Sequence, residues 1–133
     1  MVIDTTFAVD LIRESRRKSD GAATQFLRQH VSAKLRMPVF ALCELSLGVV
    51  RSTSQSRARL ALQRLSEFAE VIYPAPGFAE IYADIVGGLL AAGTPIPVMD
   101  ALISTTAVQH NEPLVTRDAA HYARVERLTV LSY

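Results

Sequence analysis

The stretch Pro95-Ile96-Pro97-Val98-Met99-Asp100-Ala101-Leu102-Ile103, followed through a run of small side chains to Leu114-Val115-Thr116-Arg117-Asp118, decides how this chain is read. Asp100 opens a predicted helix over Ala101 to His110, whose Ala, Ser and Thr side chains are short enough to let it lie close to a sheet. Asn111 closes it, and Leu114 to Thr116 reads as a buried strand, being a short apolar run with turn residues beyond it. Asp100 and Asp118 thus stand at a helix start and past a strand end, separated by mostly apolar sequence that needs burying. Val2-Ile3-Asp4 and Val39-Phe40-Ala41-Leu42-Cys43-Glu44-Leu45 repeat the pattern, an acid following or interrupting a run suited to core. Burying a carboxylate is costly unless it is paired or hydrogen-bonded, so these four placements ask for a common explanation.

Working outward, Met1 to Ile3 is a strand and Thr6 caps a helix from about Phe7 to Lys18. Ser19-Asp20-Gly21 starts a second helix ending near Ser32. Leu35 to Val39 is a strand weakened by Pro38, which has no N–H for the ladder. The helix that follows carries Ala41, Leu42, Leu45 and Val49 as an apolar stripe, with Glu44 at the core margin. Ser52 to Ser56 is a polar linker, Ala58 to Phe68 an amphipathic helix and Val71 to Tyr73 a strand. Phe78, Ile81, Tyr82, Ile85 and Leu89 mark a helix that Gly93 stops, with Gly87 and Gly88 weakening it or allowing close packing. Ala119 to Arg124 is a short turn or helix, and Thr129 to Leu131 the last strand.

Strands alternating with helices predict an α/β fold: a three-layer α/β/α arrangement with a mostly parallel central sheet of about five strands, as one domain over residues 1–133. In such sheets, ligand sites gather beyond the C-terminal strand ends. Asp4 and Asp118 follow strands directly and Glu44 comes about one helical turn after its strand. Asp100 precedes its strand by a whole helix, and sequence spacing alone does not bring it to the others.

Half of the 133 residues are hydrophobic, enough for a sizeable core, and 14 Lys and Arg against 13 Asp and Glu leave a formal charge of +1. Bulk charge therefore argues neither for nor against nucleic acid. A lone Cys43 cannot form an internal disulfide and no signal-peptide pattern opens the sequence, so a reducing cytoplasm is expected. Ile85 to Met99, the most apolar segment, is interrupted by glycine and proline and too short for a membrane span. There is no GxxxxGK[ST] loop, GxSxG elbow or CxxC pair. Cys43 reads as a small core residue, and of the three histidines only His121 lies near the acids.

Each acid has an ordinary reading on its own. Asp100 suits a helix cap, Asp118 a turn, Glu44 a solvated margin. If the four converge, their mutual repulsion raises some of their pKa values unless a cation compensates. Mg²⁺ or Mn²⁺ takes carboxylate oxygens and water, activates water and stabilises an attacked phosphodiester. Arg117 is the basic residue best placed for a direct role; the arginines ending the first helix and following the Glu44 helix have helix-dipole roles by default.

Val2-Ile3-Asp4-Thr5, the Glu44-Leu45-x-x-Gly48 segment, Gly93-x-Pro95-Ile96-Pro97-x-x-Asp100-Ala101-x-Ile103 and Leu114-Val115-Thr116-Arg117-Asp118 resemble the successive motifs of PIN-domain ribonucleases, specifically the VapC toxins of toxin-antitoxin pairs. The likeness spans the chain, in order. It implies a Mg²⁺-dependent endoribonuclease, with Mn²⁺ able to substitute, whose catalytic residues are Asp4, Glu44, Asp100 and Asp118. Asp4, Asp100 and Asp118 would hold the metal, and Thr5, Thr116 and Arg117 would position acids or substrate. It further implies an RNA substrate, a homodimer and a VapB-like antitoxin in a hetero-oligomer. Many relatives carry Asn where Thr6 stands and a hydroxyl residue where Ala41 stands, so a hydrogen bond near the acids is absent or differently supplied. Two other readings remain: a PIN nuclease of RNA maturation, and a non-catalytic α/β module that docks a partner.

Overall fold

Short apolar runs and amphipathic stretches alternate along the chain. The structure, a computed structural model describing residues 1–133, folds them into β1 (Val2–Ile3), α1 (Thr5–Arg17), α2 (Ala22–Gln29), β2 (Leu35–Pro38), α3 (Val39–Val50), α4 (Gln55–Phe68), β3 (Ala69–Ile72), α5 (Phe78–Ala91), α6 (Val98–Gln109), β4 (Leu114–Thr116), α7 (Ala119–Tyr122) and β5 (Val130–Ser132). The strands make one sheet in the order β3-β2-β1-β4-β5. Every pairing is parallel, with Val2 opposite both Arg36 and Leu114, and Pro38 opposite Ile72.

That order positions the site. From β1 the chain steps to β2 and β3, then crosses back to β4 on the other side of β1. Right-handed crossovers put the helices of the first two connections on one face and α5 and α6 on the other, giving three α/β/α layers. The direction of winding reverses between β1 and β4, the crevice where open α/β sheets keep their ligand sites. Val2, Ile3, Leu114 and Val115 are fully buried there, sealed by Phe7, Leu11, Leu45, Leu65 and Ile103.

Local chemistry corrects several expected boundaries. Asp4, not Thr6, caps α1: its carboxylate accepts the Phe7 N–H at 2.8 Å, and the helix begins at Thr5. Asp20 does not open α2, because it is paired with Arg28 at 2.6 Å. The free N–H groups of Ala23 and Thr24 are met instead by Glu14 of α1, at 3.1 and 2.8 Å. A Cβ on Gly21 would lie 2.2 Å from that carboxylate, so a larger residue there would displace the Glu14 side chain from its capping position. Helix α4 runs straight into β3, with no glycine or proline to mark the change, so β3 begins at Ala69, two residues before the expected strand.

Asp100 does not open its helix either; α6 starts at Val98 behind Pro97, and Asp100 sits inside the first turn. The buried hydroxyls of Ser104, Thr105 and Thr106 return to the carbonyls of Asp100, Ala101 and Leu102 at 2.6, 2.8 and 2.9 Å. Polar side chains are thereby satisfied inside a buried helix. Cys43 is exposed rather than core. A Cβ at Gly87 or Gly88 meets nothing within 4 Å, so these glycines serve no close packing.

Candidate functional site

Strand β1 ends at Ile3 and delivers Asp4 to the crevice, where it is 1% exposed. Three donors hold the carboxylate. Besides Phe7 N–H, the Thr116 hydroxyl donates to Oδ2 at 2.6 Å and the Thr6 hydroxyl lies 2.9 and 2.8 Å from the two oxygens. Thr6 thus supplies a hydrogen bond at the position where the family pattern has Asn. Burial pushes the Asp4 pKa above its ordinary 3.8, the hydrogen bonds pull it down, and the negative charge of Asp100 adds to the rise. Desolvation outweighs the hydrogen bonds.

Thr116, at the end of β4, also accepts the backbone N–H of Asp118 at 2.9 Å. One hydroxyl therefore links the two strand ends and shapes the turn that carries Asp118. Asp100 arrives from α6 and is met by α7. The His121 ring nitrogen Nδ1 lies 2.9 Å from its Oδ2 and the Tyr122 hydroxyl donates to its Oδ1 at 3.3 Å. The same Nδ1 is 3.5 Å from Asp118 Oδ2. Glu44, half-buried on α3, accepts from the Thr5 hydroxyl.

Burial pushes the Tyr122 phenol pKa far up, and the charges of Asp4, Asp100 and Glu44 push it further, so carboxylates from three elements lie within electrostatic reach of one buried ring. Asp118, 51% exposed, is at the rim and joined to Asp100 through His121. No Lys or Arg is ion-paired with any of the four acids. Arg117 turns away from them to Asp10 of α1, at 2.6 Å. Tyr133 donates to the same Asp10 oxygen at 3.0 Å, so the Thr116 to Asp118 turn is pinned to α1 from outside.

No group of three or more His, Cys, Asp or Glu side chains is placed to hold a metal ion as they stand. The donor types, carboxylates with one imidazole beside them, are nevertheless those a hard divalent ion takes. Thr6, His121 and Tyr122 are the residues at the acids that motif reading did not assign. Only His121, three positions after Asp118, gave any signal in the sequence.

Thr5 and Glu44 also line a groove of about 170 Å³ with Val9, Ile12 and Arg16. It continues between α1 and α4 as a hollow of about 230 Å³ whose floor includes Leu11, Ile12 and Leu65, with Arg16, Arg57 and Arg64 beside them. None of these arginines is ion-paired within the chain. A larger hollow of about 490 Å³ around Leu35, Phe68 and Glu70 lies at the opposite end of the sheet and holds none of the acids.

The PIN domain family matches residues 1–128. Ribonuclease VapC4 of Mycobacterium tuberculosis is 32% identical over 96 residues, covering 69% of this chain and 74% of that protein. Among solved structures, VapBC2 from Rickettsia felis, bound to a DNA fragment from its promoter, superposes with a TM-score of 0.90 at 20% identity, covering 99% of this chain and 97% of that one. VapBC-1 from nontypeable Haemophilus influenzae gives 0.85 at 22% identity, with 98% and 96% covered. At these identities the structures speak for the fold.

Proposed function

The chain belongs to the PIN-domain family, and from that premise we propose that it is a divalent-metal-dependent endoribonuclease of VapC type, the toxin of a toxin-antitoxin pair. One observation carries the reading: Asp4, Glu44 and Asp100, delivered by β1, α3 and α6, lie about one buried ring at the reversal point of the sheet, and no Lys or Arg is paired with them. Such a cluster calls for a cation from outside. Mg²⁺ is the expected ion and Mn²⁺ a substitute, with Asp4, Asp100 and Asp118 as ligands. When bound, the ion lowers the pKa of a water and stabilises charge on the phosphodiester under attack.

The chain's own groups do the positioning. Thr116 and Thr6 fix the buried Asp4, Thr5 orients Glu44 as the fourth charge, and Arg117, held by Asp10, anchors the turn that carries Asp118. RNA is the substrate, which agrees with a cytoplasmic location. No helix is long and apolar enough to cross a membrane. The antitoxin reading is supported by the α1–α4 groove, whose apolar floor and unpaired arginines lead to Glu44 and suit a segment of opposite charge. The exposed Leu47, Val50 and Leu90 on α3 and α5 suit a homodimer.

Purified protein is expected to cut RNA in Mg²⁺ and to lose at least about a hundredfold in rate in Asp4→Ala and Asp100→Ala, or in EDTA. Unchanged metal-dependent cleavage in both variants rules out this site, and absence of cleavage by the wild type favours a docking module.

A further inference from the structure

Asp100 is the acid whose own strand does not deliver it. Its helix α6 begins behind Pro97 with no side-chain cap, and the carboxylate lies inside the first turn rather than at its start. Both of its oxygens are nonetheless engaged, and by adjacent residues of one short element. Tyr122 reaches Oδ1 at 3.3 Å and His121 Nδ1 reaches Oδ2 at 2.9 Å. The two anchors differ in kind. Tyr122 is 2% exposed and packed into the main core, so its hydroxyl is held rigidly by the packing of its ring. His121 is 37% exposed on its side chain and spans from Asp100 to the rim carboxylate Asp118, at 3.5 Å.

We infer that the His121–Tyr122 pair of α7 is the positioning device of the acid cluster, fixing the Asp100 carboxylate and its spacing to Asp118 so that the two can serve one divalent ion. The inference rests on the metal-dependent reading above and extends it to residues outside the four acids. Neither residue touches substrate in this role; both act through Asp100. Groups that orient a metal-binding carboxylate typically govern affinity by about ten- to a hundredfold. The Tyr122 hydroxyl is the more rigid anchor, because its ring is locked into the core while His121 stands half in solvent.

Mn²⁺ titration followed by calorimetry and by electron paramagnetic resonance tests this on the full chain, with Asp100→Asn as the reference that lacks the ligand. Tyr122→Phe keeps the ring and removes only the hydroxyl. It is expected to bind Mn²⁺ about tenfold more weakly or worse, with a thermal midpoint close to wild type in EDTA. His121→Ala, at a half-exposed position that does not threaten folding, is expected to weaken Mn²⁺ as well. His121→Asn, whose amide can replace the Nδ1 donor, recovers part of the loss. A Mn²⁺ affinity within twofold of wild type in both Tyr122→Phe and His121→Ala, with binding still abolished by Asp100→Asn, overturns the inference and leaves the acid site standing. No saturable Mn²⁺ binding by the wild type removes the acid site itself, and the inference with it.

Discussion

At the starting ends of the strands, carboxylates and cations are interleaved: Glu112 accepts from Arg36 at 2.7 Å and lies 2.9 Å from the N-terminal ammonium, while Arg36 also approaches Glu70 at 3.4 Å. At the finishing ends, Asp4, Glu44, Asp100 and Asp118 receive hydroxyls, one backbone N–H and an imidazole, and no Lys or Arg. Charge is cancelled inside the chain at one end of the sheet and left over at the other. The balanced end serves the fold. The unbalanced end holds four acids without a Lys or Arg partner, the arrangement that the proposed cation site requires.

The sharpest way to separate the two ends is to supply the cation. Mg²⁺ at about a hundred times its dissociation constant is expected to stabilise the wild type by about 2.7 kcal/mol, raising the midpoint in scanning calorimetry by roughly 10 °C. Asp100→Asn is expected to show no such rise. An equal rise in that variant places the bound ion elsewhere.

Next in size is a break at the balanced end. Arg36→Ala leaves the half-buried Glu112 without its guanidinium and is expected to cost about 1–2 kcal/mol in urea unfolding, with RNA cleavage per folded molecule unchanged. If cleavage falls in step with stability, the two ends are not separable.

The pH dependence of the metal-free protein distinguishes them further. Asp4 has its folded pKa raised above 3.8, so from that pH upward the folded chain holds the proton longer than the unfolded chain does. Its contribution to stability is then lost as pH rises through the folded pKa, by about 1.4 kcal/mol for each unit of the rise. Melting in EDTA at successive pH values is expected to show this decline in wild type and a flatter profile in Asp4→Asn. An unaltered profile in that variant assigns the decline to other groups.

The smallest effect is a control at neither end. Gly87→Ala fills open space on α5 and is expected to stabilise by about 0.5–1 kcal/mol without changing metal affinity. A change in Mn²⁺ titration there contradicts the separation of site from scaffold.

Much of this was legible in the sequence wherever an acid directly follows an apolar run. Val2-Ile3-Asp4 and Leu114 to Asp118 announced both strands and the acids beyond them, because a parallel sheet sends its strand ends to one side. The α/β alternation gave five strands and their parallel pairing in the same way. Asp100 was not legible from spacing. It reaches the crevice only because the connection from β3 to β4 crosses to the other side of β1, a long-range choice that no local pattern records. The family likeness supplied the gathering that spacing did not.

Other misses have local causes. Asp4 is helix cap and crevice acid at once, roles that sequence reading treats as alternatives. Helix α7 is four residues long, too short to show a period, so Tyr122 carried no signal despite lying in the main core. Cys43 was expected in the core on residue type, but lies on an exposed side of a helix that is apolar nearly all round.

Anomalous diffraction from crystals soaked in Mn²⁺ tests the central claim most directly. A peak within coordination distance of Asp4, Asp100 and Asp118, absent in Asp100→Asn, is the expected result. A fully occupied Mn²⁺ elsewhere, or no peak at these carboxylates at saturating concentration, contradicts it.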